Sequence, residues 1–178
     1  IPVLLWDVDL ASEAAPEFFR TPNPHEAYRL ALPRSGSLEA SPDQLRLARA
    51  WEDAARRAIV SPISIGASYR EVGILPTDSP EALGFQIQVP EGQRLRVAVN
   101  GEGQPGDRLF IDLFRTAPPE MVADGEGRSP VPALVKGEEL EEAGWSFDAA
   151  EAGVYVVRLQ PELAGVKRYD LSIQVGAP

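Results

Sequence analysis

One histidine, no cysteine and 27 acidic side chains bound the chemistry open to this chain of 178 residues. His25 alone cannot supply a metal site of two or three imidazoles, and the lack of cysteine removes thiolate catalysis, disulfides and cysteine metal sites together. The sequence offers no Ser–His–Asp or Cys–His pair. His25 falls on the first turn of an expected helix, a position that usually faces solvent. The glycine-rich run GEGQPG (101–106) joins two strand-like runs instead of preceding a helix, so it reads as a turn and not a phosphate loop. Two of the many acids could meet across a cleft as in a glycosidase, but no pattern singles out a pair. Glu138, Glu139, Glu141 and Glu142 read as a solvated turn that turns Leu140 inward. These acids, or Asp124 with Glu126, could offer oxygen ligands to calcium, although neither run has EF-hand spacing. The expectation is no catalytic residue, no metal and no cofactor.

The elements that would carry any site are more legible. Residues 153–175, GVYVVRLQPELAGVKRYDLSIQV, hold two runs of strict alternation around a turn. Tyr155, Val157 and Leu159 share one face, as do Tyr169, Leu171, Ile173 and Val175. Arg158, Gln160, Asp170, Ser172 and Gln174 take the other. A period of two marks half-buried antiparallel strands. Earlier runs repeat it: 63–75, Phe85–Val89, Leu95–Val99 and 107–116, with shorter strands at 131–136 and 145–148. Turn signals every 8–15 residues and the absence of βαβ alternation predict a mainly β fold, an antiparallel sandwich of about seven or eight strands. Two helices precede it. Asn23-Pro24-His25-Glu26 starts one that Pro33 ends, and Ser41-Pro42-Asp43-Gln44 starts another that runs to about Val60. Leu47, Trp51, Ala54, Ala55, Ala58 and Ile59 form the apolar stripe of the second, with Glu52/Arg56 and Asp53/Arg57 at i,i+4 on its wet face. The expected organisation is an extended N-terminal arm (1–22), a helical hairpin (23–62) and a β-sandwich (63–178).

Charge narrows the partners. The formal net charge is −10, which disfavours a nucleic-acid backbone. Residues 1–60 carry 7 basic and 9 acidic side chains and the rest 10 and 18, so the acid belongs to the strands. No run approaches the roughly 20 apolar residues of a membrane span. The chain starts at Ile1, which fits a removed leader or a trimmed chain. In DRLFIDLF, Leu109, Ile111 and Leu113 face one way while Phe110 and Phe114 flank Asp112 on the other. A strand apolar on both faces is covered on both. The cover is either the helical hairpin, with Trp51 as the partner of these rings, or a docked protein.

The runs YVVRLQPEL and KRYDLSIQV, together with PNPHEAYRLAL, LARAWEDAARRAI and YREVGIL, resemble a non-catalytic N-terminal region. That region belongs to exported lysostaphin-like zinc peptidoglycan endopeptidases of Gram-negative bacteria. GVY with RYDLSI also resembles bacterial pre-peptidase C-terminal domains, β-sandwiches attached to secreted proteases. The resemblance spans most of residues 23–175 and implies export. The HxxxD and HxH zinc motifs of those peptidases are missing here, so it implies no activity.

Together these features predict a non-enzymatic extracytoplasmic, periplasmic binding or scaffold module. It would dock on a protein assembly, as an accessory subunit touching a membrane-embedded complex from the periplasmic side. Ile1, Val3, Leu4, Leu5 and Trp6 of the arm, with Phe110 and Phe114, are the contact candidates. Two alternatives stay open. One is the accessory or targeting domain of a cell-wall peptidase; the other is a carbohydrate-binding sandwich using Trp6, Trp145 and Phe114.

Overall fold

The computed structural model describes residues 24–116 and 144–178. Two helices come first, α1 (Pro24–Ala31) and α2 (Pro42–Val60). Eight strands follow: β1 (Ile63–Ser64), β2 (Ser68–Ile74), β3 (Leu83–Val89), β4 (Arg94–Glu102), β5 (Leu109–Arg115), β6 (Gly144–Asp148), β7 (Gly153–Pro161) and β8 (Arg168–Gly176). They form two four-stranded sheets, one ordered β1-β3-β7-β5 and the other β2-β8-β4-β6. The expected sandwich with helices ahead of it is therefore present. Its pairing departs from the expectation at one point: β1 runs parallel to β3, over two residues. The other pairs are antiparallel.

The inner faces are the alternating apolar residues. Phe85, Ile87, Tyr155, Val157, Leu159 and Leu113 come from the first sheet, and Leu95, Val97, Leu171 and Ile173 from the second, all nearly inaccessible. Trp145 also lies inside, where its indole N–H donates to the Ile111 carbonyl at 3.2 Å and ties β6 to the edge of β5.

The start of α2 follows its sequence signal closely. Ser41 accepts from the Gln44 N–H at 3.2 Å and the Gln44 side chain accepts from the Ser41 N–H at 2.8 Å, a capping box that satisfies two free donors. On the wet face Asp53 pairs with Arg56, one residue closer than the i,i+4 spacing suggested, and Asp43 pairs with Arg46 at the same i,i+3 spacing. The other face is small: Ala48, Ala54, Ala55 and Ala58 are buried around Trp51. It lies over β3 and β7, while α1 lies over β5. Contact with β3 is backbone to backbone, since a β-carbon placed on Gly84 would stand 1.7 Å from the Ala58 carbonyl oxygen. The helices thus cover the outer face of the first sheet, and the outer face of the second has no helix over it among the described residues.

Candidate functional site

Charged and polar groups converge at two places, and the first lies beneath the helices. On β5 and β7, Asp112 pairs with Arg158, Phe110 with Gln160 and Phe114 with Val156. These residues point to the outer face and would meet water on a bare sheet. Under the helices all are buried, Asp112 at 1% and Arg158 at 7% exposure. The Arg158 guanidinium donates to Asp112 Oδ2 at 2.7 Å and lies 4.9 Å from the Phe114 ring centre. Its Nε is buried and has no hydrogen-bond partner among the described residues.

Helix α1 lowers His25 into this layer. The ring stacks on Trp51 at 4.5 Å and meets Phe110 edge-on at 5.5 Å. His25 Nε2 lies 2.6 Å from Gln160 Oε1, which accepts its N–H, and the Gln160 amide in turn donates to the Trp51 carbonyl at 2.9 Å. Burial, reinforced by the charge of Arg158, pulls the histidine down to about 4. The imidazole is therefore neutral at pH 7, committed to a glutamine and shut behind two aromatic rings. Such a group cannot relay a proton to an outside substrate. It is a packing element with a hydrogen bond.

The second place is the uncovered outer face of β2-β8-β4-β6. Arg70 forks onto Asp170 at 2.7 and 3.2 Å, and Arg94 onto Asp148 at 2.6 and 2.7 Å. Arg168 stands opposite Glu102 in the β4–β8 register. Arg96 donates to the Ala177 carbonyl at 2.9 Å. The bonded guanidiniums hold the Asp148 and Asp170 carboxyls below the usual carboxylate range. Small side chains, Ala98, Asn100 and Ser172, line the centre between these pairs, which leaves an open polar depression with charged margins. It holds four arginines against Asp148, Asp170 and Glu102, in a chain whose net charge is −10.

The contact candidates read from sequence separate. Phe110 and Phe114 are buried at 4% and 6% exposure, so neither ring is on offer at the surface; Phe110 packs on Trp51, as one reading of that strand required. Ile1, Val3, Leu4, Leu5 and Trp6 lie outside the described residues, as do the acidic runs around Asp124 and Glu138. Among the described residues no group of three or more histidines or acids could hold a metal ion. His25, expected at the surface, is 4% exposed, because the one aromatic-lined gap between α2 and β5 takes its ring. The sugar-binding alternative loses two of its three aromatics, Trp145 and Phe114, to the interior.

No family model matches the chain, and no curated protein matches it. Among solved structures it is similar to PliG of Aeromonas hydrophila, a periplasmic inhibitor of g-type lysozyme. The identity is 13% and the TM-score 0.44, over 64% of this chain and 96% of that one. It is also similar to the pre-peptidase C-terminal domain of a collagenase from Bacillus anthracis, at 16% identity and TM-score 0.46, over 64% and 95%. PliG of Salmonella Typhimurium is similar at 17% identity and TM-score 0.37, over 65% and 100%. The three include a pre-peptidase C-terminal domain and no lysostaphin-like peptidase. Neither similarity extends to a binding site or an activity of this chain.

Proposed function

We propose that this chain is a non-enzymatic extracytoplasmic module that binds a protein. The observation that carries the reading is the one-sided cladding of the sandwich. Helices seal the first sheet and lock its polar groups into structural bonds, while the second sheet presents a broad, open, arginine-bearing face. An open polar face with charge pairs at its margins suits a protein surface better than a small molecule, which needs an enclosed and mostly apolar pocket. The sole histidine, the residue most hydrolytic sites would recruit, is withdrawn into packing. Export is supported by the resemblance of residues 23–175 to parts of exported proteins. The finer reading is an accessory subunit of a membrane complex, contacted from the periplasmic side. Within it, residues 1–10 form an apolar docking arm and the sheet face supplies orientation. No helix among the described residues is long and apolar enough to cross a membrane.

The test is reversible cross-linking of the native protein in its own cells, followed by identification of the bound protein. Reversing two charges, Arg96→Glu with Arg168→Glu, is expected to remove the cross-linked partner. Both are surface changes, so stability should stay within about 0.5 kcal/mol. Deleting residues 1–10 is expected to abolish co-purification with the melting temperature nearly unchanged. A large fall in melting temperature would make the arm part of the core and remove it from the interface. Retention of the partner by the charge-reversed protein would dismiss the sheet face.

A further inference from the structure

Helix α1 is attached to the body differently from α2. Its eight residues bury one side chain, His25, and a helix of that length is not stable alone in water. Two further points hold it. The Leu163 N–H donates to the Tyr28 hydroxyl at 2.9 Å, and Leu32, just past its end, joins Ala48, Trp51 and Phe110 in a small apolar cluster. The linker that follows is tied to α2 instead, because Arg49 donates to Ser35 at 2.5 Å. A swing of α1 therefore turns at Pro33, where the chain passes from one anchor to the other. Helix α2 has no such freedom. Its Trp51 indole donates to the Pro161 carbonyl at 2.8 Å, Gln160 bonds the Trp51 carbonyl at 2.9 Å, and its last turns rest on Gly84.

We propose that α1 is an acid-released flap: proton uptake by His25 detaches residues 24–32 from the sandwich while α2 stays seated and the two sheets stay closed. The imidazole stands in the interface itself, between Trp51 of α2 and Phe110 of β5, with its N–H on Gln160 of β7. Its charged neighbours are Arg158 of β7, Asp112 of β5 and Glu26 of its own helix. The α2 group against it is the Trp51 indole, which carries no charge. Asp112 is committed to Arg158 and Glu26 to Arg29, so neither carboxylate is placed to receive an imidazolium. Burial and the Arg158 charge therefore dominate, and the closed ring takes a proton at about 4 against 6.5 in water. Once swung out, the histidine regains its ordinary affinity, so protons pull the equilibrium toward the open form. With these two affinities the open fraction grows about 30-fold from pH 7.5 to pH 5. Opening bares Trp51, Phe110 and Gln160, an aromatic surface shut away at neutral pH.

The chain has no cysteine, so a single introduced thiol reports on one place. Ala48→Cys lies in the cluster that Leu32 closes, and Ala54→Cys is buried on α2 outside it. Each variant is labelled with dithiodipyridine between pH 7.5 and pH 5, and its rate is divided by that of the urea-unfolded variant at the same pH. The Ala48→Cys rate is expected to exceed the Ala54→Cys rate at least about tenfold throughout, and to rise about 30-fold on acidification. In a His25→Gln background, which keeps a donor to Gln160 and takes up no proton, the rise should vanish. Should Ala48→Cys fold poorly, amide exchange of the native chain decides in the same way, α1 against α2 after division by intrinsic rates. Equal rates at the two positions would mean that the domain opens as a whole, and would overturn the flap. So would an Ala48→Cys rate that is flat with pH, or a rise that survives His25→Gln.

Discussion

Replacing Asp112 with alanine is expected to lower the unfolding free energy by about 3–5 kcal/mol, because it strands a buried guanidinium. Asp112 is 1% exposed and, among the described residues, its oxygen takes the only hydrogen bond from the Arg158 side chain, at 2.7 Å. The Nε of the same arginine is already buried without a partner among the described residues, none of which offers a second acceptor to share the load. Urea unfolding of Asp112→Ala should show the full loss in its midpoint with little change in slope. The double variant Asp112→Leu with Arg158→Met should recover most of it, since apolar groups of similar volume often replace a buried ion pair without loss. A single change costing less than about 1 kcal/mol, the range of an exposed pair, would show that water reaches Arg158.

Acidification is expected to loosen the helical layer through His25. The folded protein holds its imidazole at about 4 against 6.5 for the ordinary side chain. A base whose folded value is depressed binds its proton more readily when unfolded. Its contribution is therefore intact above pH 6.5 and declines as pH falls to about 4, where it levels off. At about 1.4 kcal/mol per unit, the total is about 3 kcal/mol. The charged groups facing the ring are Arg158 and Asp112 from the sheet and Glu26 from its own helix, and burial outweighs all of them. Urea midpoints measured from pH 7.5 to 4 should fall steadily for the native protein. His25→Leu starts lower, because Gln160 loses its donor, but its profile should be nearly flat over the same window. Parallel slopes for the two proteins would assign the acid sensitivity to other groups.

Both effects belong to a layer that alternation patterns hide. The strands from Phe85, Leu95, Tyr155 and Tyr169 were legible because one face of each is apolar with a period of two. Helix α2 was legible from its capping box and its alanine stripe. Arg158 and Gln160 were expected to face water, because polar residues on an alternating strand usually do. A signal against that expectation was nevertheless present. Phe110 and Phe114 require a cover over β5, and any helix wide enough to supply it also shades the adjacent strand, where Arg158 and Gln160 sit. Reading it needed the knowledge that β5 and β7 are neighbours, which is a tertiary fact. The burial of His25 had no local signal, since helix periodicity places a first-turn residue but says nothing about the cavity below.

The close approach of Gly84 to the Ala58 carbonyl has a dynamic consequence. Elsewhere, side chains separate a helix from the sheet beneath and let it slide or roll slightly; here the last turns of α2 rest on the strand itself. A helix seated in this way has no partly detached position in which contacts persist while the main chains separate. Amide protons near the end of α2 should therefore exchange in one cooperative event with those of β3, at the rate of the whole domain opening and not of a fraying end.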